Sequence, residues 1–243
     1  MENNSIFMVK NFFDYEKIIP PPINLPKSLK SLYITDSIKN VNTAKNLGWD
    51  YTFLYDKCLN LTDKFERRKL VAKINCHPHL FLPDGLKNIE KIFVCDSNIT
   101  SLWEEYEMFI NNCNSENALY LTSGYYKGER DNILSEMEVS INQKRWNYNK
   151  LQIKENTFRY IKEMELSNID YLKISVVSAK YIGWNIKHPK YEILSNFAYA
   201  EHQKHLQGNI TFSYMSGIFS DLVKNYYTNN YKGGKLNSHN YEA

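Results

Sequence analysis

Short β-branched and aromatic runs alternate along this chain with longer stretches in which apolar residues recur every three to four positions. Runs of the first kind, bounded by polar residues, read as buried strands, and stretches of the second kind as amphipathic helices. The clearest run is Lys91-Ile92-Phe93-Val94-Cys95-Asp96, which ends abruptly in a carboxylate followed by Ser97, Asn98 and Ile99. Further strands are expected over 5–13, 31–35, 49–55, 118–122 and 172–179. Helical periodicity marks 63–74, 101–110 (with Trp103, Tyr106, Phe109 and Ile110 on one face), 132–141 and 191–206, and a helical turn over 42–47 closes at Gly48. Pro20-Pro21-Pro22 forces an extended connection. Strands alternating with helices predict an α/β fold, a mostly parallel (mixed) central sheet flanked by helices on both faces. No linker or internal repeat divides the chain, so 1–231 is expected to form a single domain, and 232–243, rich in Gly, Asn and Ser, a disordered tail.

Composition narrows the class. The 243 residues are enough for a substantial core, and 43% hydrophobic with 23% charged residues is ordinary for a soluble globular protein. A net charge of +3, with acidic residues balancing basic ones along the whole chain, argues against a nucleic-acid partner. No apolar run approaches the roughly 20 residues a membrane span needs. Met1-Glu2-Asn3-Asn4-Ser5 lacks the basic start and apolar core of a signal peptide. The four cysteines lie far apart, so free thiols in a reducing, cytoplasmic compartment are expected rather than a disulfide framework.

Candidate chemistry gathers at a few points. In α/β sheets ligands sit beyond the carboxyl ends of the strands, where Asp96 and Asn98 would offer two oxygen ligands to a hard divalent cation carrying a diphosphate. The same residues also read as a plain turn after a core strand. Arg67-Arg68-Lys69 with Lys73 could neutralise phosphates or form a solvated helix face. Cys76-His77-Pro78-His79 has no matching Cys or His pair elsewhere, which disfavours structural zinc and leaves His77 as a hydrogen-bonding or phosphate-contacting group. Glu129, Asp131, Glu136 and Glu138 surround a helix start, where a carboxylate could take a proton from an acceptor hydroxyl or simply complement the helix dipole. In Glu201-His202-Gln203-Lys204-His205, one histidine could be a third metal ligand on an otherwise polar helix face. There is no GxxxxGK[ST], GxGxxG or GxSxG, so the P-loop, dinucleotide-fingerprint and α/β-hydrolase readings have nothing to stand on.

Taken in order from Phe12 to Tyr214, these segments resemble a glycosyltransferase-like family found in plants and bacteria and long catalogued as a domain of unknown function. The order is also similar to that of a chlorovirus glycosyltransferase of the GT-A type. Phe12-Phe13-Asp14-Tyr15 resembles the family's aromatic-Tyr-Asp opening. Tyr33-Ile34-Thr35-Asp36-Ser37, with Gly48-Trp49 after it, resembles its "FTD…GW" segment, and Arg67 and Arg68 to Lys73, then His77 and Leu82-Pro83-Asp84, resemble "R…K…pH…lpD". Val94-Cys95-Asp96-Ser97-Asn98-Ile99 resembles "iDgnI", the DxD position of GT-A transferases, and Arg130-Asp131-Asn132-Ile133-Leu134-Ser135-Glu136 resembles "RdciyeE". The chain departs from the family at Gln207-Gly208-Asn209, where an Arg-Asp-Gln triplet is usual.

The resemblance implies a GT-A-like fold and transfer of a sugar from a nucleotide-sugar, a UDP-sugar by analogy, to a glycan or glycoprotein acceptor. It implies that Thr35 and Asp36 border the nucleotide, that Arg68, Lys73 and His77 meet the diphosphate, and that Asp96 and Asn98, with His205, hold Mn²⁺ or Mg²⁺. Glu136 is then the catalytic carboxylate, and the cytoplasm is that of an infected host cell if the source is viral. The altered triplet motivates an alternative, a non-catalytic module that binds a glycan or nucleotide on the same fold.

Overall fold

Seven strands form one sheet in the order β3-β2-β1-β4-β6-β5-β7. They are β1 (Ser5–Asn11), β2 (Leu29–Thr35), β3 (Tyr51–Leu54), β4 (Lys91–Asp96), β5 (Leu119–Ser123), β6 (Val177–Asn185) and β7 (Val223–Tyr227). The helices are α1 (Ile38–Asn46), α2 (Lys64–Cys76), α3 (Ile133–Ile141), α4 (Lys150–Leu166), α5 (Tyr191–His205) and α6 (Gly208–Ile218). This is a computed structural model, and it describes residues 4–12, 18, 20–21, 29–55, 64–86, 88–96, 116–123 and 130–227. The expected helix over 101–110, Asn98 and the tail lie outside the described residues.

Alternation on the sheet sets the layers. Ile6, Met8, Leu32, Ile34, Ile92 and Val94 point to one face and pack on Ile74 of α2 and on Phe81. Leu119, Leu121, Ile182 and Trp184 continue that face under Leu194 and Ala198 of α5 and Phe212 and Met215 of α6. Phe7, Val9, Tyr33, Phe93 and Cys95 point the other way, toward Ala44 of α1 and Trp49. Behind α5 and α6, a further cluster ties Ile133 and Met137 of α3 to Ile153, Tyr160 and Met164 of α4. Helices therefore cover both faces, as the alternation of elements predicts.

Pairing is parallel for β1-β2, β1-β4, β2-β3 and β5-β7, whereas β6 runs antiparallel between β4 and β5. The register of β6 against β5 jumps from Leu121↔Ile182 to Thr122↔Ser178, so the stretch containing Lys180 bulges out of the ladder. Side chains of α6 satisfy backbone amides there: Ala179 N–H donates to Asn209 Oδ1 at 2.9 Å and Val177 N–H to Ser213 Oγ at 3.0 Å. The strand expected over 172–179 is displaced: Tyr171–Lys173 is a 3₁₀ turn with Leu172 exposed, and the strand runs Val177–Asn185.

Helix α6 fits its bed closely, with every residue but Ile218 buried. A Cβ added at Gly208 would lie 2.7 Å from the Ala179 Cβ and 3.3 Å from His202 Cε1. Because the Ala179 Cβ is fixed to the sheet, Gly208→Ala is expected to destabilise by about 1–3 kcal/mol, read as a lower urea midpoint at unchanged slope.

Candidate functional site

The carboxyl ends of β1, β2, β4 and β5 meet at one edge. Asp96 closes β4 directly beside Lys10 of β1, with which it is in register. Lys10 is almost wholly buried, an unusual position for a lysine, and its Nζ reaches Asp96 Oδ1 at 2.8 Å and also donates to Asn75 Oδ1 of α2. Asp96 itself is about one-third exposed, at 34%. Lys180, in the bulge of β6, faces the same charge; burial holds its pKa below the ordinary lysine value, Asp96 opposes that shift, and Arg145 and Arg130 add to it. Arg145 also bears on Arg68 of α2, whose guanidinium lies 4.6 Å from the centre of the Trp146 ring and 5.8 Å from that of Tyr148. One carboxylate thus stands in a field of cations, the arrangement of an anion-binding edge.

Thr35 and Asp36 close β2 at the same edge and are both buried. Thr35 Oγ1 accepts from Ser37 N–H at 3.2 Å, just ahead of the Ser37 cap of α1. Two buried polar atoms at this edge, Asn11 Oδ1 and Thr122 Oγ1, have no hydrogen-bond partner among the described residues. They are the kind of orphan a bound polar ligand satisfies.

Glu136 sits in the first turn of α3, behind a capping box formed by Asn132 and Ser135, and has no exposed surface. Its Oε1 accepts from Gln207 Nε2 at 3.1 Å, Asn209 Nδ2 at 3.0 Å and Ser140 Oγ at 3.4 Å, while Oε2 pairs with Arg130 at 3.3 Å. Burial raises its pKa, and the Arg130 charge and the hydrogen bonds oppose that shift. The departing triplet is therefore employed: Gln207 and Asn209 bind the fully buried Glu136 carboxylate through neutral amides. A contribution of Glu136 to ligand chemistry would have to run through Arg130.

Lys73 and His77 lie elsewhere. They line a cleft with His188 and Tyr191, and Ile186 of that cleft donates its N–H to Glu90 O at the start of β4, the opposite edge of the sheet from Asp96. His205 is fully buried; its Nδ1 accepts from Gln207 N–H at 3.1 Å, which leaves the Nε2 proton facing Tyr160 Oη at 3.1 Å and Thr211 Oγ1 at 3.3 Å. Among the described residues no group of three or more His, Cys, Asp or Glu could hold a metal ion. The structure thus gathers Thr35, Asp36, Arg68 and Asp96 at one edge, with Glu136 attached through Arg130, and separates Lys73, His77 and His205 from them. Sequence reading missed Lys10 and Lys180; the signal for Lys10 was a lysine inside an otherwise apolar run, whereas Lys180 lies in a strand whose pattern is already broken by Ser178, Gly183 and Asn185.

A mixed sheet with one antiparallel strand inserted, helices on both faces and a polar carboxyl edge is a GT-A-like fold. The chain is similar to mouse xyloside xylosyltransferase 1 in its apo form, with a TM-score of 0.51 at 9% identity over 90% of this chain and 84% of that one. It is also similar to the bifunctional glycosyltransferase WbbM (TM-score 0.48, 11% identity, 90% of this chain and 38% of that one). The galactosyltransferase LgtC, solved with donor and acceptor sugar analogues, follows at TM-score 0.43 and 9% identity over 90% of this chain and 72% of that one. At such identities the likeness is one of fold, and it rests on the xylosyltransferase. No protein-family model matches the sequence, and no curated protein matches it either. No helix among the described residues is long and apolar enough to cross a membrane.

Removing the Glu136 carboxylate strands Arg130 and two buried amides, so Glu136→Ala is expected to cost about 3–5 kcal/mol in urea unfolding. A second expectation concerns His202, which is buried 4.0 Å from Cys76 Sγ and whose pKa burial lowers from 6.5 to about 4. Between those two values the unfolded chain binds a proton that the native state refuses, so the stability present above pH 6.5 is lost as pH falls toward 4. The loss is on the order of 3 kcal/mol at most. Unfolding midpoints should fall less steeply between pH 6.5 and 4 in His202→Gln, the remaining slope coming from His77, His79 and His205.

Proposed function

We propose that this chain is a glycosyltransferase moving a sugar from a nucleotide-sugar donor, a UDP-sugar, to a glycan or glycoprotein acceptor. The observation that carries the reading is Asp96, at the carboxyl end of a central strand in a GT-A-like sheet, paired with Lys10 and facing Lys180, which Arg130 and Arg145 in turn approach. In this reading Thr35 and Asp36 border the nucleotide, with Asn11 and Thr122 offering their buried oxygens to it. Arg68, Arg145 and Lys180 face the diphosphate. As the glycosidic bond to the donor breaks, negative charge grows on the departing diphosphate, and cations already fixed in place stabilise it without reorganising. Glu136 acts as a positioning residue that holds Arg130, and Lys73 and His77, in the far cleft, are left out of the donor site.

Mn²⁺ or Mg²⁺, when bound, would add Lewis-acid stabilisation of the same leaving group. Asp96 and Asn98 would hold it. Magnesium bound alongside a diphosphate needs only one or two carboxylates, and Lys10 occupies Oδ1 of Asp96, leaving Oδ2 for the ion. With Asn98 contributing an oxygen but no charge, affinity falls below that of a two-acid site. His205 would join only if its ring gave up Gln207 and Tyr160.

The second reading, a module that binds donor or glycan without transfer, is favoured by the complete enclosure of Glu136, whose carboxylate is spent on Gln207, Asn209 and Arg130. Release of free sugar or transfer product from UDP-sugars by the purified protein would remove it.

Calorimetric titration of UDP, first without metal and then with excess Mn²⁺, is the test. UDP is expected to bind more tightly with Mn²⁺ and to lose at least about tenfold in affinity in Asp96→Ala. Absence of UDP binding in both conditions overturns the donor site. Binding indifferent to Mn²⁺ but weakened in Arg145→Ala and Lys180→Ala keeps the donor site and removes the metal.

A further inference from the structure

The cleft at the amino-terminal edge of the sheet, a cavity of about 630 Å³ between the end of α2, the Pro78–Phe81 turn and the start of α5, belongs to no part of the donor site. One wall is a continuous band of four rings. Tyr199 lies 5.1 Å from His77, His77 6.1 Å from His79, and His79 5.3 Å from Tyr191, centroid to centroid, with the His79 Nδ1 and Tyr191 hydroxyl 2.5 Å apart. The rest of the lining is mixed: Lys73, Glu192 and Asn196 are its principal polar side chains, and Leu80, Ile186 and Pro189 add apolar surface.

The chemistry of this lining selects a ligand by elimination. A metal ion is excluded by the lack, among the described residues, of three acidic, thiol or imidazole groups able to share one. A phosphate or other anion needs donors alone, yet Glu192 faces the cavity opposite Lys73, and burial together with the His79 and Lys73 charges holds the His77 pKa down to about 4. Burial likewise lowers His79, against the pull of Glu192, so both rings are neutral at physiological pH, although His79 spends its Nδ1 on the Tyr191 hydroxyl. An apolar ligand would leave those groups, the amide and two charges without partners. A sugar hydroxyl is itself both donor and acceptor, and the C–H face of a pyranose lies flat on an aromatic ring. We infer that this cleft is a binding site for a neutral saccharide unit, stacked on the half-buried ring of Tyr199 and hydrogen-bonded by Lys73, Glu192 and Asn196. It opens where β4 begins rather than where β4 ends at Asp96, and it stands whether or not the chain transfers sugar.

Saturation-transfer NMR on the full chain tests this with maltose, cellobiose and lactose as probes, and inorganic phosphate and Zn²⁺ as separate additions. At least one disaccharide is expected to receive saturation from the protein. Asn196→Trp, which fills the cleft from an exposed helix position, is expected to abolish it. Tyr199→Ala is expected to weaken binding roughly fivefold to tenfold. Asp96→Ala should leave it intact, which separates this cleft from the donor edge. Saturation of no disaccharide, or saturation unchanged in both Asn196→Trp and Tyr199→Ala, overturns the site. Perturbation of the His77 and His79 resonances by phosphate or Zn²⁺ in place of sugar overturns the ligand class.

Discussion

The antiparallel insertion of β6 between β4 and β5 is the constraint on which the rest of the structure depends. Because β6 runs against its neighbours, the chain enters the sheet at the carboxyl edge, where Val177 pairs with Ser123, and leaves at the amino edge, where Asn185 pairs with Lys91. That single strand therefore supplies residues to both ends: Lys180 beside Asp96, and Ile186 and His188 to the far cleft. It also dictates the course of α5. The helix must climb back across α2, seen in the Cys76–His202 and Lys69–Gln203 contacts, before the chain turns at Leu206 and delivers Gln207 and Asn209 to Glu136. The bulge opposite Leu121 and Thr122 completes the arrangement, because it takes Lys180 out of the ladder and hands the loosened amides to α6.

The carboxyl edge is costly to fold around. Lys10 and Glu136 are charges with almost no access to water, and a buried ion pair often contributes less than an apolar pair of similar volume. Neither pair therefore accounts for the stability of the fold, which comes from the apolar layers on the two sheet faces and behind α5 and α6. What the pairs do is fix positions. Lys10 is held by Asp96 and Asn75 from two different elements, and Arg130 is anchored by a carboxylate that three further donors keep in place. Local departures from a well-satisfied apolar core concentrate where a protein binds something, and here they concentrate at one edge.

How much of this was legible in the sequence depended on whether an element is buried on one side or all round. The strands β1, β2 and β4 are apolar runs with polar ends and are read correctly to within a few residues. Strand β6 is not, because Ser178, Lys180, Gly183 and Asn185 interrupt its apolar pattern, and the more hydrophobic stretch just before it is a 3₁₀ turn with Leu172 outside. Helix α4 carries a clear 3.6-residue stripe at Ile153, Thr157, Tyr160, Ile161 and Met164, a signal present but left unused. Helix α6 had no such signal: it is buried on every side, so it shows no polar face, and its β-branched and aromatic residues favour a strand in isolation. At the site, Asp96 was legible from its place after an apolar run. That Lys73 and His77 line a separate cleft was not legible, since spacing along a helix does not say to which edge of the sheet that helix carries each residue.

The two ends of the sheet differ in the charge they present, and the difference follows from how each was assembled. At the carboxyl edge, Lys10, Lys180, Arg68, Arg130 and Arg145 outnumber Asp36, Asp96 and the enclosed Glu136, so the summed field favours an anion. At the amino edge the one lysine is matched by Glu192, and the imidazoles stay neutral because burial opposes their protonation, helped at His77 by Lys73 and resisted at His79 by Glu192. A diphosphate is thus drawn to one edge and finds no reward at the other, while an uncharged polyhydroxy ligand gains little from a cationic field and much from paired donors, acceptors and ring faces. On the two assignments proposed above, separation by charge would let two ligands of related origin share the same small fold without competing.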